Sequence, residues 1–391
     1  MANSFIPQVN PQAAYLAQRT DIDAAIRRVL EGSYYILGEE TSRLEREFAA
    51  AVGCQHGIGV GSGTDAIVLA LRGLGVGPGK IVATVSHTAV ATVAAVEMAG
   101  GTPLLIDIDP RTYTMDPEAL ERALGAARRA GKPVAAILPV HLYGQAADLA
   151  AIVPLARQYD AALIEDCAQA HGATFDGRPV GSYGNAAAFS FYPTKNLGAL
   201  GDAGLVATRS EHLASELKAI RQYGWRDTRR ISASQGINSR LDELQASVLR
   251  VKLLRLEEDS SRRRQIAARY DSGLADLPVT RPFRDPRVSH VFHQYVIRCA
   301  QRDALRVTLH NAAIGTSIHY PHPIHLQPAY RDRITIGPGG LANTERAAVE
   351  IVSLPMYPQL TDDQVDYVIE AIRAWAANSL GSAATKRERK A

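Results

Sequence analysis

The stretch AALIEDCAQAHGA, residues 161–173, begins as an apolar run and stops on two adjacent carboxylates, Glu165 and Asp166. A run that is apolar at nearly every residue reads as a strand covered on both faces, as parallel strands between helices are. Ligands of open parallel sheets bind at the carboxyl ends of strands. An acid buried there is costly unless it is paired. A structural acid that caps the following turn or meets an arginine therefore stands beside the functional reading.

Working outward, similar runs occur at IVATVS (81–86), TPLLIDID (102–109), AAILPVHL (135–142), AAAFSF (186–191) and GLVAT (204–208). Between them, Thr64–Leu74, Ala89–Met98, Pro117–Arg129 and Leu149–Tyr159 carry helical spacing or helix-start residues. Strands alternating with helices predict an α/β fold, a mostly parallel central sheet with helices on both faces. Residues 239–273 read as one long helix, broken late by Gly273. YVIRC (295–299) and IGTSIHY (314–320) are strand-like, and Thr361–Ala377 is helical. The expected division is a large domain with an N-terminal arm, 1–255, and a smaller α+β domain, 256–391.

Composition excludes several classes. With 46% apolar and 21% charged residues, the chain is an ordinary globular one. A net charge of +3 is too balanced for a nucleic-acid surface. The one basic run, KRERK (386–390), reads as a frayed, solvated tail. Cys54, Cys167 and Cys299 are too scattered for a disulfide framework or a metal motif, which fits a reducing cytoplasm. No signal pattern and no membrane-length apolar run is present, so a cytoplasmic protein without membrane contact is expected.

Two further stretches carry chemistry. GIGVGSGTDAIVLAL (57–71) is a strand, a Gly/Ser/Thr turn and a helix. It gathers free backbone N–H groups, Ser62, Gly63 and Thr64 at a helix N-terminus, where an anion such as phosphate is stabilised. An ordinary N-capped helix gives the same pattern. The glycines fit neither a dinucleotide fingerprint nor a P-loop, which counts against a nicotinamide enzyme. FSFYPTKNLGALGDAG (189–204) ends a strand at Pro193 and presents Lys195, with Ser190 five residues earlier. Alone, Lys195 is a surface charge. Together, a phosphate seat, a strand-end acid and a lysine are the groups pyridoxal phosphate requires: donors for the phosphate, a carboxylate for the ring nitrogen, and an amine for the Schiff base.

GSGTDAIVLAL, PVHLYGQAADL, IEDCAQAHGA, AFSFYPTKNLGALGDAG, NSRLDELQA and HYPHPIHLQPAY, in this order, resemble the DegT-type sugar aminotransferases, a branch of the fold type I superfamily. The resemblance spans roughly residues 5–375. It implies that Lys195 is the Schiff-base lysine and proton shuttle, that Asp166 pairs with the pyridine nitrogen and that Gln169 lies by the phenolic oxygen. It implies Gly63, Thr64 and Ser190 as the phosphate seat, beside Ser62 of the turn. Asn238 would reach the phosphate of the neighbouring subunit, making a homodimer with sites at the interface. Tyr35, His87, Tyr320 and His325 are candidate substrate contacts. The implied substrates are L-glutamate and a nucleotide-linked keto-sugar, with C3 of a dTDP-3-keto-6-deoxyhexose first. C4 amination, a UDP-linked sugar and a scyllo-inosose-type cyclitol are the alternatives, and a non-catalytic PLP-binding regulator is the alternative from another class.

Two stretches complicate this. In VSHTAVAT the family's aromatic position holds Ala89, which leaves open whether His87, another ring or aliphatic surface covers the cofactor's face. In HYPHPIHLQPAY, His319, His322 and His325 suggest metal, but the prolines at 321 and 323 oppose a regular element that would align them. No metal is expected.

Overall fold

The computed structural model describes residues 5–388, and side-chain surroundings through residue 378. The N-terminal arm carries α1 (Pro11–Leu16), α2 (Arg19–Leu30) and α3 (Glu39–Ala51). Then β1 (His56–Val60), α4 (Gly63–Gly73), β2 (Ile81–Val85), α5 (Val90–Met98), β3 (Thr102–Ile106), α6 (Pro117–Arg129), β4 (Val134–Ile137), α7 (Leu149–Gln158), β5 (Ala162–Asp166), β6 (Ala186–Ser190) and β7 (Gly204–Thr208) follow. Capping follows the sequence: Ser62, Asp116, Asp148 and Ser210 each accept a backbone N–H in the first turn of α4, α6, α7 and α8 (Glu211–Ile220).

Strands β3, β2, β4, β5 and β6 run parallel, whereas β7 is antiparallel to both β6 and β1. This reversal shapes the site. Gly204, the first residue of β7, pairs with Ser190 at the end of β6 and with Val60 at the end of β1. The turn after β1 and the end of β6 therefore meet on one sheet edge, beside Asp166, which pairs with Ala188. Helix α4 is buried from Ala66 through Leu71 against this sheet. Full burial of an Ile or Leu stabilises by roughly 2–3 kcal/mol, and Leu69 and Leu71 are both wholly enclosed. Two alanines of β6, Ala186 and Ala188, allow α4 to approach closely.

The C-terminal part contains α9 (Glu243–Leu253), α10 (Leu256–Gly273), β8 (Tyr295–Arg298), α11 (Arg302–Asn311), β9 (Thr335–Ile336), α12 (Ala342–Glu350), β10 (Ile351–Leu354) and α13 (Asp362–Glu388). β8 and β10 pair antiparallel, and α10, α11 and α13 share a core around Tyr270, Leu305, Leu309, Leu354 and Ile372. Gly273 lets α10 touch α13, since a Cβ there would lie 2.5 Å from Ile369 Cδ1. β9 reaches back to pair with β3, at the edge of the main sheet.

Three expectations need adjusting. The helix expected over 239–273 is two helices, broken at Leu254–Arg255. Arg250 and Lys252 end the first and Glu257–Asp259 begin the second, so each dipole end meets opposite charge. IGTSIHY is no strand: it makes isolated bridges at Ile314 and Ser317 and otherwise connects. The terminal helix runs past Ala377 to Glu388, taking in Lys386 and Arg387 of the basic run, while 389–391 lie outside the described residues.

Candidate active site

Asp166 ends β5 and is buried. Its carboxylate accepts from the Ala168 N–H at 3.1 Å and from the Thr92 hydroxyl at 2.9 Å. Burial raises its pKa, against the pull of these two donors and of Lys195. Lys195 follows β6 in a turn closed by its own N–H donating to Tyr192 O at 2.8 Å. Burial of its amine lowers its pKa to about 8, opposed by Asp166. The two groups thus share one charge environment.

The anion seat is built by close backbone approach. A Cβ on Gly63 would overlap the Ser190 side chain, and one on Gly204 would overlap the Ser62 carbonyl. Ser62 Oγ caps α4 by accepting from Asp65 N at 3.1 Å. Its role in the structure is therefore to shape the turn, while Gly63 and Thr64 begin the helix beside Ser190. Ser239 accepts from Gly61 N at 3.0 Å and donates to Asp65 at 2.8 Å, while its neighbour Asn238 is exposed and bridges to Gln222.

Beyond Asp166 lies a polar network. Gln169 accepts from Tyr143 N at 2.8 Å and donates to the Tyr320 hydroxyl at 3.1 Å. The Tyr143 hydroxyl donates to the His319 carbonyl, so it accepts from His87 Nε2, 2.8 Å away. That fixes the His87 tautomer: Nε2 carries the proton and the buried Nδ1 is left without a partner. Burial lowers the His87 pKa to about 4, so the ring is neutral. It packs against Tyr113 and Tyr143. Ala89, half-buried, starts α5 with no side-chain cap.

Two other expected contacts lie elsewhere. His325 is bound on both ring nitrogens, to Ser86 Oγ at 2.8 Å and to Glu345 at 3.1 Å. It fastens its loop to the end of β2. Tyr35 is 51% exposed, and its hydroxyl donates to Leu30 O at 3.2 Å. With Tyr34 and Ile36 it belongs to an open face whose adjoining cleft is lined by Trp225, Arg226, Arg230 and Arg240.

Sequence reading missed Thr92, Ser239 and Tyr143. Each lies inside a quoted stretch, Thr92 in VSHTAVAT, Tyr143 in PVHLYGQAADL and Ser239 in NSRLDELQA, but acts through a contact between 26 and 178 residues away that no local pattern displays. The histidine-rich loop gathers no metal set: His319 bonds Ser353 and His322 is exposed. Among the described residues, His141, Glu165 and Cys167 have metal-compatible spacing. There, His141 Nδ1 accepts from Ala147 N at 3.0 Å and Nε2 faces Glu165 at 3.1 Å. Both ring nitrogens are already engaged, which leaves the histidine no lone pair for an ion.

The model of the DegT/DnrJ/EryC1/StrS aminotransferase family matches residues 17–373. The chain belongs to this family. A dTDP-3-amino-3,4,6-trideoxy-alpha-D-glucose transaminase of Streptomyces venezuelae is 44% identical over 376 residues, 95% of this chain and 96% of that one. The crystal structure of S. venezuelae DesV in complex with a ketimine intermediate superposes with a TM-score of 0.91 at 43% identity, over 96% of this chain and 99% of that one. NtdA of Bacillus subtilis, with bound cofactor PMP, matches with a TM-score of 0.85 at 29% identity, over 92% and 82%. The fold is that of a type I aminotransferase and the protein is an enzyme of that class. The family's cofactor is pyridoxal phosphate. The residues present fit it: a buried strand-end carboxylate, a lysine of lowered pKa, and a glycine-lined cradle at a helix N-terminus that a single Cβ would fill.

Proposed function

We propose that this aminotransferase transfers the amino group of L-glutamate to C3 of a dTDP-linked 3-keto-6-deoxyhexose. The observation that carries the reading is the joint environment of Lys195 and Asp166 beside the Gly63–Ser190 cradle, in a chain 44% identical to a transaminase whose name specifies a dTDP-3-amino sugar. Bound here, pyridoxal phosphate supplies a carbonyl that carries the amino group from donor to acceptor. Lys195 is the group that attaches it and then moves the proton of the donor's α-carbon. A lysine accepts a proton only when neutral, and burial of its amine, lowering the pKa to about 8, makes the neutral form accessible. Asp166 keeps the ring nitrogen protonated, with Thr92 and the Ala168 N–H fixing its carboxylate. Gly63, Thr64 and Ser190 would hold the phosphate, and Gln169, expected by the phenolic oxygen, keeps Tyr143 and Tyr320 in place.

The exposed Tyr34–Ile36 and Trp225–Arg240 face is read as the seat of a second copy, with Asn238 reaching the partner's phosphate in a homodimer. A division into domains 1–255 and 256–391 and a cytoplasmic location complete the proposal. No described helix is long and apolar enough to cross a membrane.

The deciding experiment offers the enzyme glutamate and a panel of keto-sugars: dTDP-3-keto, dTDP-4-keto, UDP-linked 3-keto and a keto-cyclitol. Preference for the dTDP-3-keto sugar is expected, and a preference for any other member replaces this substrate. Lys195→Ala is expected to lose the Schiff base, with its absorbance band, and nearly all turnover. Substantial residual turnover overturns the lysine's role.

A further inference from the structure

A small cavity of about 30 Å³ lies where the N-terminal arm, the loop Pro193–Gly198, the α9–α10 junction and the turn Tyr357–Gln359 converge. Lys195 lies on its wall, and two further cations line it, Lys252 and Arg263, both buried. Their partners are carbonyl oxygens rather than carboxylates. Lys252 Nζ donates to Gly198 O at 2.6 Å, and Arg263 Nη1 donates to Phe292 O and Met356 O, each at 3.1 Å. Arg263 Nε has no partner, and an ammonium bound to one carbonyl keeps two more N–H donors. Gln18 and Gln359 also line the cavity, and each has an amide oxygen without a partner. Turned about its last bond, either amide presents donors instead.

One carboxylate faces this group, that of Asp259. Burial raises its pKa, although Arg263, Arg255 and Lys252 all pull it down. Burial also lowers Lys252 to about 8 and Arg263 to about 10, with only Asp259 opposing in each case. Two buried cations, with Lys195 beside them, thus line with one weakened anion a space too small for an amino acid or a sugar. Buried charge without a counter-charge is strongly unfavourable.

We infer that this cavity binds one small monovalent anion of the chloride class, held between Lys252 Nζ and Arg263 Nε. A cavity of this size takes about one or two water-sized occupants, and a halide meets that limit. The ion would tie three pieces of chain together: the arm through Gln18, α10 through Arg263, and, through the Lys252–Gly198 bond, the loop that presents Lys195. Its role is to brace that loop, whose Lys195 itself lies on the cavity wall.

The test uses full-length enzyme loaded with its cofactor. Crystals soaked in bromide are expected to show one anomalous peak in hydrogen-bonding range of Lys252 Nζ and Arg263 Nε. In solution, the thermal midpoint is expected to rise with chloride but not with gluconate at equal ionic strength, because a ligand of the native state stabilises by mass action. Lys252→Met is expected to weaken halide binding about tenfold or more, the loss of one charged hydrogen bond. Arg263→Lys, which keeps the charge and removes Nε, is expected to weaken it as well. Ordered water without an anomalous peak, or equal stabilisation by chloride and gluconate, overturns the assignment. So does an unchanged halide affinity in Lys252→Met.

Discussion

Glu165 and Asp166 are neighbours at the end of one strand, yet their side chains leave on opposite faces of the sheet and meet opposite surroundings. Glu165 is saturated. It accepts the N–H groups of Gly181, Tyr183 and Gly184, each at 2.8 Å, and faces His141 at 3.1 Å. Burial alone would raise its pKa, but the hydrogen bond from His141, with the backbone donors, holds it below the usual value. Asp166 has two donors, and its pKa is raised by burial. A carboxylate with every lone pair occupied is a structural clasp. One with unused capacity, beside a lysine of lowered pKa, is arranged to act on something that arrives. The same chemical group serves architecture on one face and chemistry on the other.

Asp166→Asn breaks the comparison most severely. Its amide cannot hold a ring nitrogen protonated, so turnover is expected to fall by about 10²–10³-fold, the scale for losing one preorganised electrostatic contact. The thermal midpoint should stay near that of the parent, because the amide replaces a carboxylate with only two donors to satisfy. An active Asp166→Asn enzyme removes Asp166 from the mechanism.

Glu165→Gln is the converse. It places an NH2 where backbone N–H donors or His141 already point. Breaking such a buried set costs about 3–5 kcal/mol, to be read by chemical denaturation. Protein that remains folded should keep its Lys195 environment, because the Glu165 side chain leaves on the other face. A variant of parental stability but low turnover would make Glu165 part of the site.

The Lys195 titration sharpens the pairing further. Capture of pyridoxal phosphate by apoprotein needs the neutral amine, so its rate is expected to rise with pH through a midpoint near 8. Asp166 is the charge that opposes this lowering. In Asp166→Asn the midpoint should therefore move below that of the parent. A shift upward, or none, would show that the two groups do not interact.

Much of this was legible in the sequence, for a physical reason. Strand ends and helix starts are local: an apolar run, a Ser-Gly-Thr turn and a proline stop mark where Asp166, Gly63 and Lys195 must sit, and a parallel sheet puts such ends on one edge. The antiparallel β7 was not legible, although Gly204 in that strand is what joins the α4 turn to Ser190. Strand direction depends on pairing across the sheet, which periodicity does not encode. The breadth of the polar network was hidden for the same reason, since Tyr143 joins His87, Gln169 and His319 across the fold. The break at Leu254 did leave a local sign, a switch from basic to acidic residues, which apolar periodicity alone passes over.

The smallest expected effect concerns His171, which lies behind the site among Phe48, Phe189 and Phe191. Neither ring nitrogen has a hydrogen-bond partner, although the Ser190 backbone is near. Burial, with Lys195 adding to it, lowers its pKa to about 3. Burial likewise lowers His290 to about 3, His87 and His319 to about 4, and His293 well below the ordinary value. In the unfolded chain all five titrate near 6.5. Between pH 6.5 and about 4 the unfolded state therefore binds more protons than the native state, and stability rises with pH across this window. It is fully present above 6.5 and is lost as pH falls, by about 2 kcal/mol at pH 5 for each histidine still neutral in the fold. His171→Phe removes one of the five from an aromatic pocket, so the slope of unfolding free energy against pH should drop by about one proton in that window. Stability near pH 8 should change little, since the neutral imidazole already makes no hydrogen bond there. An unchanged slope, measured by denaturant titration of the apoprotein at several pH values, would mean that His171 is charged in the native state. It would then add a cation beside Lys195, and the amine's lowered pKa would have a source other than its own burial.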